Sequence, residues 1–449
     1  MPRLIEPRTL KGFRDYPPEL ALPRERLMEQ ARRVFRSYGF APIDTPALEY
    51  AEILLGKLDP NAEIQRQLYR FRDHGGRDVA LRFDLTVPLA RFAAQHVGPN
   101  PGQIPAPFKR YHIGPVWRGE NPQAGRFREF VQCDFDTIGT RAAAADIEIA
   151  LVIQDLLSDL GFERFEIRVN HRQILGGILA AFGAAERATP VLTALDKLAK
   201  QGRDAVLDEL SRAGLAAQSA EDLVRSVETR GSNDEILRFV AERFGQPAET
   251  QEALARLREL FAVAAAIGLP AERLRLDLAT CRGLDYYTGI VFETVLTDLP
   301  AIGSVCSGGR YDDLAGLYTK QSLPGVGASL GLDRLLAAME ALDLLPASSA
   351  PAPVLIVQFE AQRLAEYHRL ARAIRAVGIG AEVYPECRKI GAQLSYAERK
   401  GCRAAVIAGP DELAAGTCKL KDLTARSEHV VSQPELPAAV IALLARESA

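Results

Sequence analysis

Apolar side chains recur at spacings of three and four over residues 20–38 (LALPRERLMEQARRVFRSY), the period of one helix face, and Gly39 supplies a C-terminal stop. The pattern then shortens. FAPIDTPALEY, QLYRFRD and DVALRFD are rich in β-branched and aromatic residues and bounded by Gly, Asp or Pro, which predicts short strands. Over 107–139, FKRYHIGPVWRG and RFREFVQCDFDTIG joined by ENPQAG predict a hairpin. From 172 to 268 an Ala- and Leu-rich helical period takes over, read as a helical insertion. Strand-like sequence resumes in RLRLDLAT and YYTGIVFETVLTD, and LGLDRLLAAMEAL predicts one more helix. PASSAPAP (346–353) is small and proline-rich, as an interdomain linker is. Beyond it VLIVQF, a helix over 361–377, AEVYP, a helix around 389–400 and AAVIAG alternate strand and helix, which predicts a small sheet covered on both faces.

Length and composition narrow the class. A chain of 449 residues, 47% hydrophobic and 25% charged, is expected to form several folded domains. Its formal charge of -3 provides no global basic field, so a polyanion would have to be met by a local patch. The segment 353–449 carries a net +2, too little to establish RNA binding. The cysteines at 133, 281, 306, 387, 402 and 418 form no CxxC pair and no metal-spaced cluster, and are read as reduced, mostly buried thiols. The histidines show no pairing for a metal or a triad, so none is assigned a catalytic role. The start has no apolar core of signal-peptide length, and no 18 apolar residues run together, so the expected location is the cytoplasm with no membrane contact.

Candidate chemistry concentrates in the hairpin. Strands carrying Lys109, Arg110, Arg118, Arg126, Arg128, Glu129, Asp134 and Asp136 cannot be simple core, because a buried charge costs several kcal/mol unless paired or used. The forks of Arg118 and Arg126 suit nucleotide phosphate, and Glu120, two residues from Arg118, suits an amino group such as that of adenine. A surface ladder of salt bridges is the competing reading. In LRFDLT, Asp84 and Thr86 are placed on one strand face, where carboxylate and hydroxyl together suit an ammonium. CRGLDYYTG sets Arg282 beside two tyrosines. The glycines of CSGGRYDDL and PGVGASLGLDR fit no phosphate-loop motif and are read as bare backbone for a ligand to lie on. Arg334 at the following helix start suits stacking on a purine.

KGFRDYPP, LRFDLTVP, KRYHIGPVWRGENPQAGRFREFVQCDFD, RGLDYYTG, SGGRYDDL and GVGASLGLDRL, in this order, resemble the histidyl-tRNA synthetase family of the class II aminoacyl-tRNA synthetases. RGLDYYTG is the most specific of them. The tail from 353 resembles the family's anticodon-binding domain. RFDLTVP and QCDFD are worded more as in eukaryotic and archaeal members than in the common bacterial form.

The resemblance implies an α+β catalytic domain with a six-to-seven-stranded antiparallel sheet flanked by helices, a helical insertion and a C-terminal α/β anticodon-binding domain. Catalytic parts are expected at 1–171 and 269–345, the insertion at 172–268, the linker at 346–353 and the anticodon-binding domain at 354–449. The resemblance further implies a homodimer and a ligase that uses ATP with Mg2+ to join L-histidine to tRNA(His). Arg118 and Glu120 match the residues on the α-phosphate and adenine, Arg126 an ATP-phosphate contact, and Arg334 the adenine-stacking arginine. Asp84, Thr86 and Gln132 match the ammonium site. Asp136 and Tyr287, helped by Tyr311, match the imidazole readers, and Arg282 the cation near carboxylate and α-phosphate; Arg118 and Arg282 are thus the expected catalytic pair. No metal ligand is assigned. Two departures stand out: Gly119 replaces a larger or basic residue of many relatives, and Asp84 and Asp136 are shorter than the glutamates of many bacterial ones. The alternative is a catalytically silent paralogue that senses histidine or regulates a partner.

Overall fold

The computed structural model describes residues 4–56, 63–122, 125–281, 286–345 and 350–445. The chain divides into two compact units, Met1–Asp15 with Arg24–Leu344, and Tyr16–Pro23 with Leu345–Ala449.

The first unit is built on a sheet of eight strands. They are β1 (Ala41–Pro42), β5 (Phe108–Trp117), β6 (Glu129–Ile138), β7 (Phe165–His171), β8 (Leu274–Leu276), β9 (Ile290–Leu296), β10 (Ser304–Arg310) and β11 (Gly325–Gly331). A separate three-stranded sheet holds β2 (Leu48–Tyr50), β3 (Arg70–Arg72) and β4 (Asp78–Leu81) in the order β2-β4-β3. The large sheet runs β1-β5-β6-β11-β10-β9-β7-β8. Its six inner strands are antiparallel, as expected, whereas the short edges β1 and β8 pair in parallel and widen the sheet beyond the expectation. The hairpin closes with Phe108 opposite Ile138 and Trp117 opposite Glu129, so its strands stop short of Arg118, Glu120 and Arg126.

Alternation on β6 sorts the two faces. Cys133 and Phe135 point to an apolar layer where the Phe35 ring lies 4.9 Å from Phe135 and 5.6 Å from Tyr111. Gln132, Asp134 and Asp136 occupy the opposite face, all buried. The helix Ala143–Asp159 adds Ile149, Val152, Ile153, Leu156 and Leu157 to the core. The stretch Arg172–Ala266 is helical, as its period predicts, and belongs to the same compact unit as the sheet.

The second unit has a five-stranded sheet of β12 (Val354–Ile356), β13 (Ala381–Val383), β14 (Ala404–Ile407), β15 (Thr417–Asp422) and β16 (Glu428–Ser432), ordered β13-β12-β14-β15-β16. Both faces are covered. Val354 and Ile356 join Tyr367, Leu370, Leu436 and Val440 in one core, while Leu355 joins Ala397, Ala405 and Leu423 in the other. The strict alternation of strand and helix fails at its end, where β15 and β16 form an antiparallel hairpin. A period of two was present in TCKLKD, whose Cys418 and Leu420 are buried between half-buried Thr417, Lys419 and Lys421.

Candidate active site

A cleft of roughly 460 Å³ opens over the polar face of the large sheet. Asp84, Thr86, Arg118, Glu120, Arg126, Gln132, Tyr287 and Arg334 all line it. They come from four separated stretches, so the fold alone assembles them. Asp136 and Tyr311 lie in the buried layer and do not line the cleft. Arg282 falls outside the described residues.

Asp84 and Thr86 reach the cleft by a different route from the expected strand face. β4 ends at Leu81, and Thr86 opens the helix Thr86–His96. The Asp84 carboxylate accepts the Val87 N–H at 3.1 Å, which satisfies a helix-start donor that a strand would have paired elsewhere. Its other oxygen accepts the Tyr286 hydroxyl at 3.3 Å. Asp84 is 2% exposed, and burial raises its carboxyl above the ordinary range against the pull of the Val87 N–H and the Arg118 cation.

Beside Asp84, Arg118 donates from Nε to the Phe83 carbonyl at 3.0 Å, and its guanidinium rests 5.1 Å from the centre of the Phe130 ring. Both contacts fix the direction of the cation. Glu120 forms an ion pair with Arg126, and Arg334 donates to the Ser304 carbonyl from the first turn of the helix Leu332–Ala341. Gly119 donates to the Gln67 carbonyl at 2.7 Å; a Cβ there would lie 3.1 Å from the same oxygen, which accounts for a small residue in this chain.

Glycines lie beneath Tyr287 and Asp136. Gly309 on β10, Gly327 on β11 and Asp136 on β6 face one another across three adjacent strands. A Cβ at Gly309 would sit 3.0 Å from the Tyr287 ring, and one at Gly327 would sit 2.0 Å from the Asp136 carboxylate. The Tyr287 ring and the Asp136 carboxylate therefore lie directly against bare backbone, in space that a side chain at either glycine would take. Asp136 is held on two sides, by Arg110 at 2.8 Å and by the Tyr311 hydroxyl. Burial raises the Asp136 carboxyl, opposed first by the Arg110 cation. It raises Tyr286, Tyr287 and Tyr311 too, so all three remain hydrogen-bond donors at neutral pH.

Several of these residues were not singled out from the sequence: Arg110 as the partner of Asp136, Tyr286 as the partner of Asp84, Phe130 beneath Arg118, and Gly327. The hairpin register puts Arg110 directly opposite Asp136, so the charge pattern plus the correct register would have found that pair.

A family model described as Histidyl-tRNA synthetase matches residues 12–335, and one described as an anticodon binding domain matches 353–443. The histidine–tRNA ligase of Rhodopirellula baltica is 53% identical over 440 residues, 98% of each chain. That of Wolinella succinogenes is 47% identical over 423 residues, 94% of each. Among solved structures, histidyl-tRNA synthetase from Nostoc sp. PCC 7120 superposes with a TM-score of 0.87 at 31% identity, covering 98% of this chain and 100% of that one. A Bacillus halodurans chain described as an ATP phosphoribosyltransferase regulatory subunit/histidyl-tRNA synthetase shares the fold, with a TM-score of 0.72 at 23% identity over 88% of this chain and 97% of that one. With this coverage by both family models and full-length relatives, the chain belongs to the histidyl-tRNA synthetase family.

Proposed function

We propose that the chain is a histidine–tRNA ligase that activates L-histidine with ATP and transfers it to the 3' end of tRNA(His). The observation that carries this reading is the meeting, in one cleft, of three arginines with an acid–hydroxyl–amide set and Tyr287. Arginines suit a triphosphate, and Asp84, Thr86 and Gln132 suit an ammonium.

In the first step a histidine carboxylate oxygen bonds to the α-phosphorus, the bond to the β-phosphate oxygen breaks, and pyrophosphate leaves. Negative charge builds on the α-phosphoryl oxygens, where Arg118 and Arg282 serve as the neutralising cations. Glu120 faces the adenine amino group, Arg126 the outer phosphates and Arg334 the purine face. Asp136 and Tyr287, with Tyr311, read the imidazole; an amino acid without two ring nitrogens would leave them unpaired, which supplies selectivity. In the second step the terminal ribose hydroxyl of the tRNA attacks the acyl carbon and AMP departs. Magnesium enters with ATP as part of the substrate, held mainly by phosphate oxygens and water; among the described residues no cluster of three or more metal-ligating side chains offers a resident site.

The same reading assigns catalysis to 1–171 and 269–345, the insertion to 172–268, and anticodon binding to 354–449 after the 346–353 linker. It places the enzyme in the cytoplasm as a homodimer; exposed Leu48, Tyr50 and Phe71 on the small sheet support a contact between copies. Histidine-dependent exchange of labelled pyrophosphate into ATP tests the activity. Exchange is expected, and Arg118→Ala or Arg282→Ala should lower it by about 10²–10³. A folded protein that binds histidine without exchange would be a sensor and would overturn the proposal.

A further inference from the structure

Gln132 offers two ends of nearly the same shape to a ligand, an acceptor oxygen and a donor nitrogen. Only the oxygen can receive an ammonium. The structure shows what settles the choice: Gln132 Nε2 donates to Ser329 Oγ at 2.6 Å, and Gln132 Oε1 is left buried without a partner at the wall of the cleft. Gln132 is 8% exposed, so water does not compete freely for either end.

The serine's own direction is imposed from behind. Ser329 stands opposite Asp134 in the β11–β6 register, so its hydroxyl faces a carboxylate, which when ionised can accept but not donate. A hydroxyl has one proton to give. Once that proton goes to the carboxylate, only lone pairs remain toward Gln132, so the amide must turn its NH2 inward and its oxygen outward. Gly331, opposite Gln132 in the same register, adds no side chain that would push the amide aside.

We propose that Ser329 is a positioning residue for substrate binding: through a one-way relay from Gln132 to Ser329 to Asp134, it presents the Gln132 oxygen to the histidine ammonium. This rests on the reading of Gln132 as part of the ammonium site. Asp134 is itself oriented by the cross-strand ladder that carries Arg110 and Asp136, so the relay is anchored in the sheet rather than in a loop.

The test compares two ligands by titration calorimetry on the full chain. L-histidinol keeps imidazole and ammonium; 3-(imidazol-4-yl)propanoate lacks the ammonium. Burial pushes Asp134 up to about 7 against the Arg110 cation, so binding is measured at about pH 8, where most of it is ionised. Ser329→Ala should weaken histidinol roughly 3- to 10-fold and leave the deaminated ligand unchanged, and Ser329→Thr should restore histidinol binding. Unchanged deaminated-ligand binding also reports that the variant is folded. Equal loss for both ligands would mean a merely structural serine, and no loss for either would mean that the amide is oriented without it; both overturn the proposal. Gln132→Met separates the two levels. If it leaves histidinol binding intact, the ammonium reading itself falls; if it weakens histidinol while Ser329→Ala does not, only the relay falls.

Discussion

A carboxylate that must be charged to act is costly to bury, and Asp84 is almost fully enclosed. Its pKa is raised, so the free protein holds a proton there over a range above the ordinary aspartate value, and the ammonium proposed to bind there would displace it. Histidine affinity is therefore expected to rise with pH until Asp84 is ionised, with net proton release on binding. Calorimetry in buffers of different ionisation enthalpy measures this, and binding without release throughout the acid range would remove Asp84 from the site. Asp84→Asn keeps the shape and should weaken histidine by about 10- to 100-fold. Arg110 poses the opposite problem, a cation with 0% exposure beside Asp136. Arg110→Met should cost about 3–5 kcal/mol because Asp136 is left charged and unpaired. Adding Asp136→Asn should recover part of that cost in urea titrations, and strict additivity of the two changes would show that the residues are not coupled.

At the level of elements, the pairing of β6, β11 and β10 decides where a ligand fits. Gly327→Ala would put a methyl group 2.0 Å from the Asp136 carboxylate and 2.6 Å from the Phe135 carbonyl. It should destabilise the fold by about 1–3 kcal/mol and impair histidine binding more than ATP binding, as separate titrations would show. Such a glycine is visible in the sequence, but its neighbour on the adjacent strand, far off along the chain, is not. The hairpin was legible because ENPQAG divides two runs of strand-forming residues, and its chemistry was legible because so many charges there needed partners. Asp84 lines the cleft by another local route than expected: LRFDLT alternates like a strand, yet the carboxylate captures Val87 N–H and the chain turns into a helix. Tyr286 was passed over because neighbouring tyrosines look equivalent until the fold sends one hydroxyl to Asp84. β1 and β8 fall within FAPIDTPALEY and RLRLDLAT, which read as strands, but their parallel pairing at the sheet edges was not legible.

Across the whole molecule, two neutral histidines set part of the acid response. His112 and His171 are both pushed down to about 3, first by burial and then by nearby arginines, although Asp44 draws the other way on His112. Unfolding frees them to protonate near 6.5, so their stabilisation is complete above that pH and is lost as pH falls toward 3. Asp134 acts in the reverse sense, since its proton is kept by the folded state and its contribution fades as pH rises toward 7. The histidine share is best isolated by difference. His171→Asn, which keeps an acceptor for the Gln173 N–H, should lower proton uptake on unfolding at pH 5 by about one and flatten the stability slope by about 1.4 kcal/mol per pH unit. An unchanged slope in denaturant titrations would show that His171 is already protonated in the fold. One further junction joins distant parts of the first unit. Asp333, immediately before Arg334, accepts the Val131 N–H of β6 at 2.9 Å and lies 3.8 Å from Arg14 and 3.6 Å from Arg24. A single carboxylate thus rivets Arg14, Arg24, the hairpin strand and the helix Leu332–Ala341 together. Whatever pulls on Arg14 or Arg24 will be felt at the start of the helix that carries Arg334, before Arg334 itself has been disturbed.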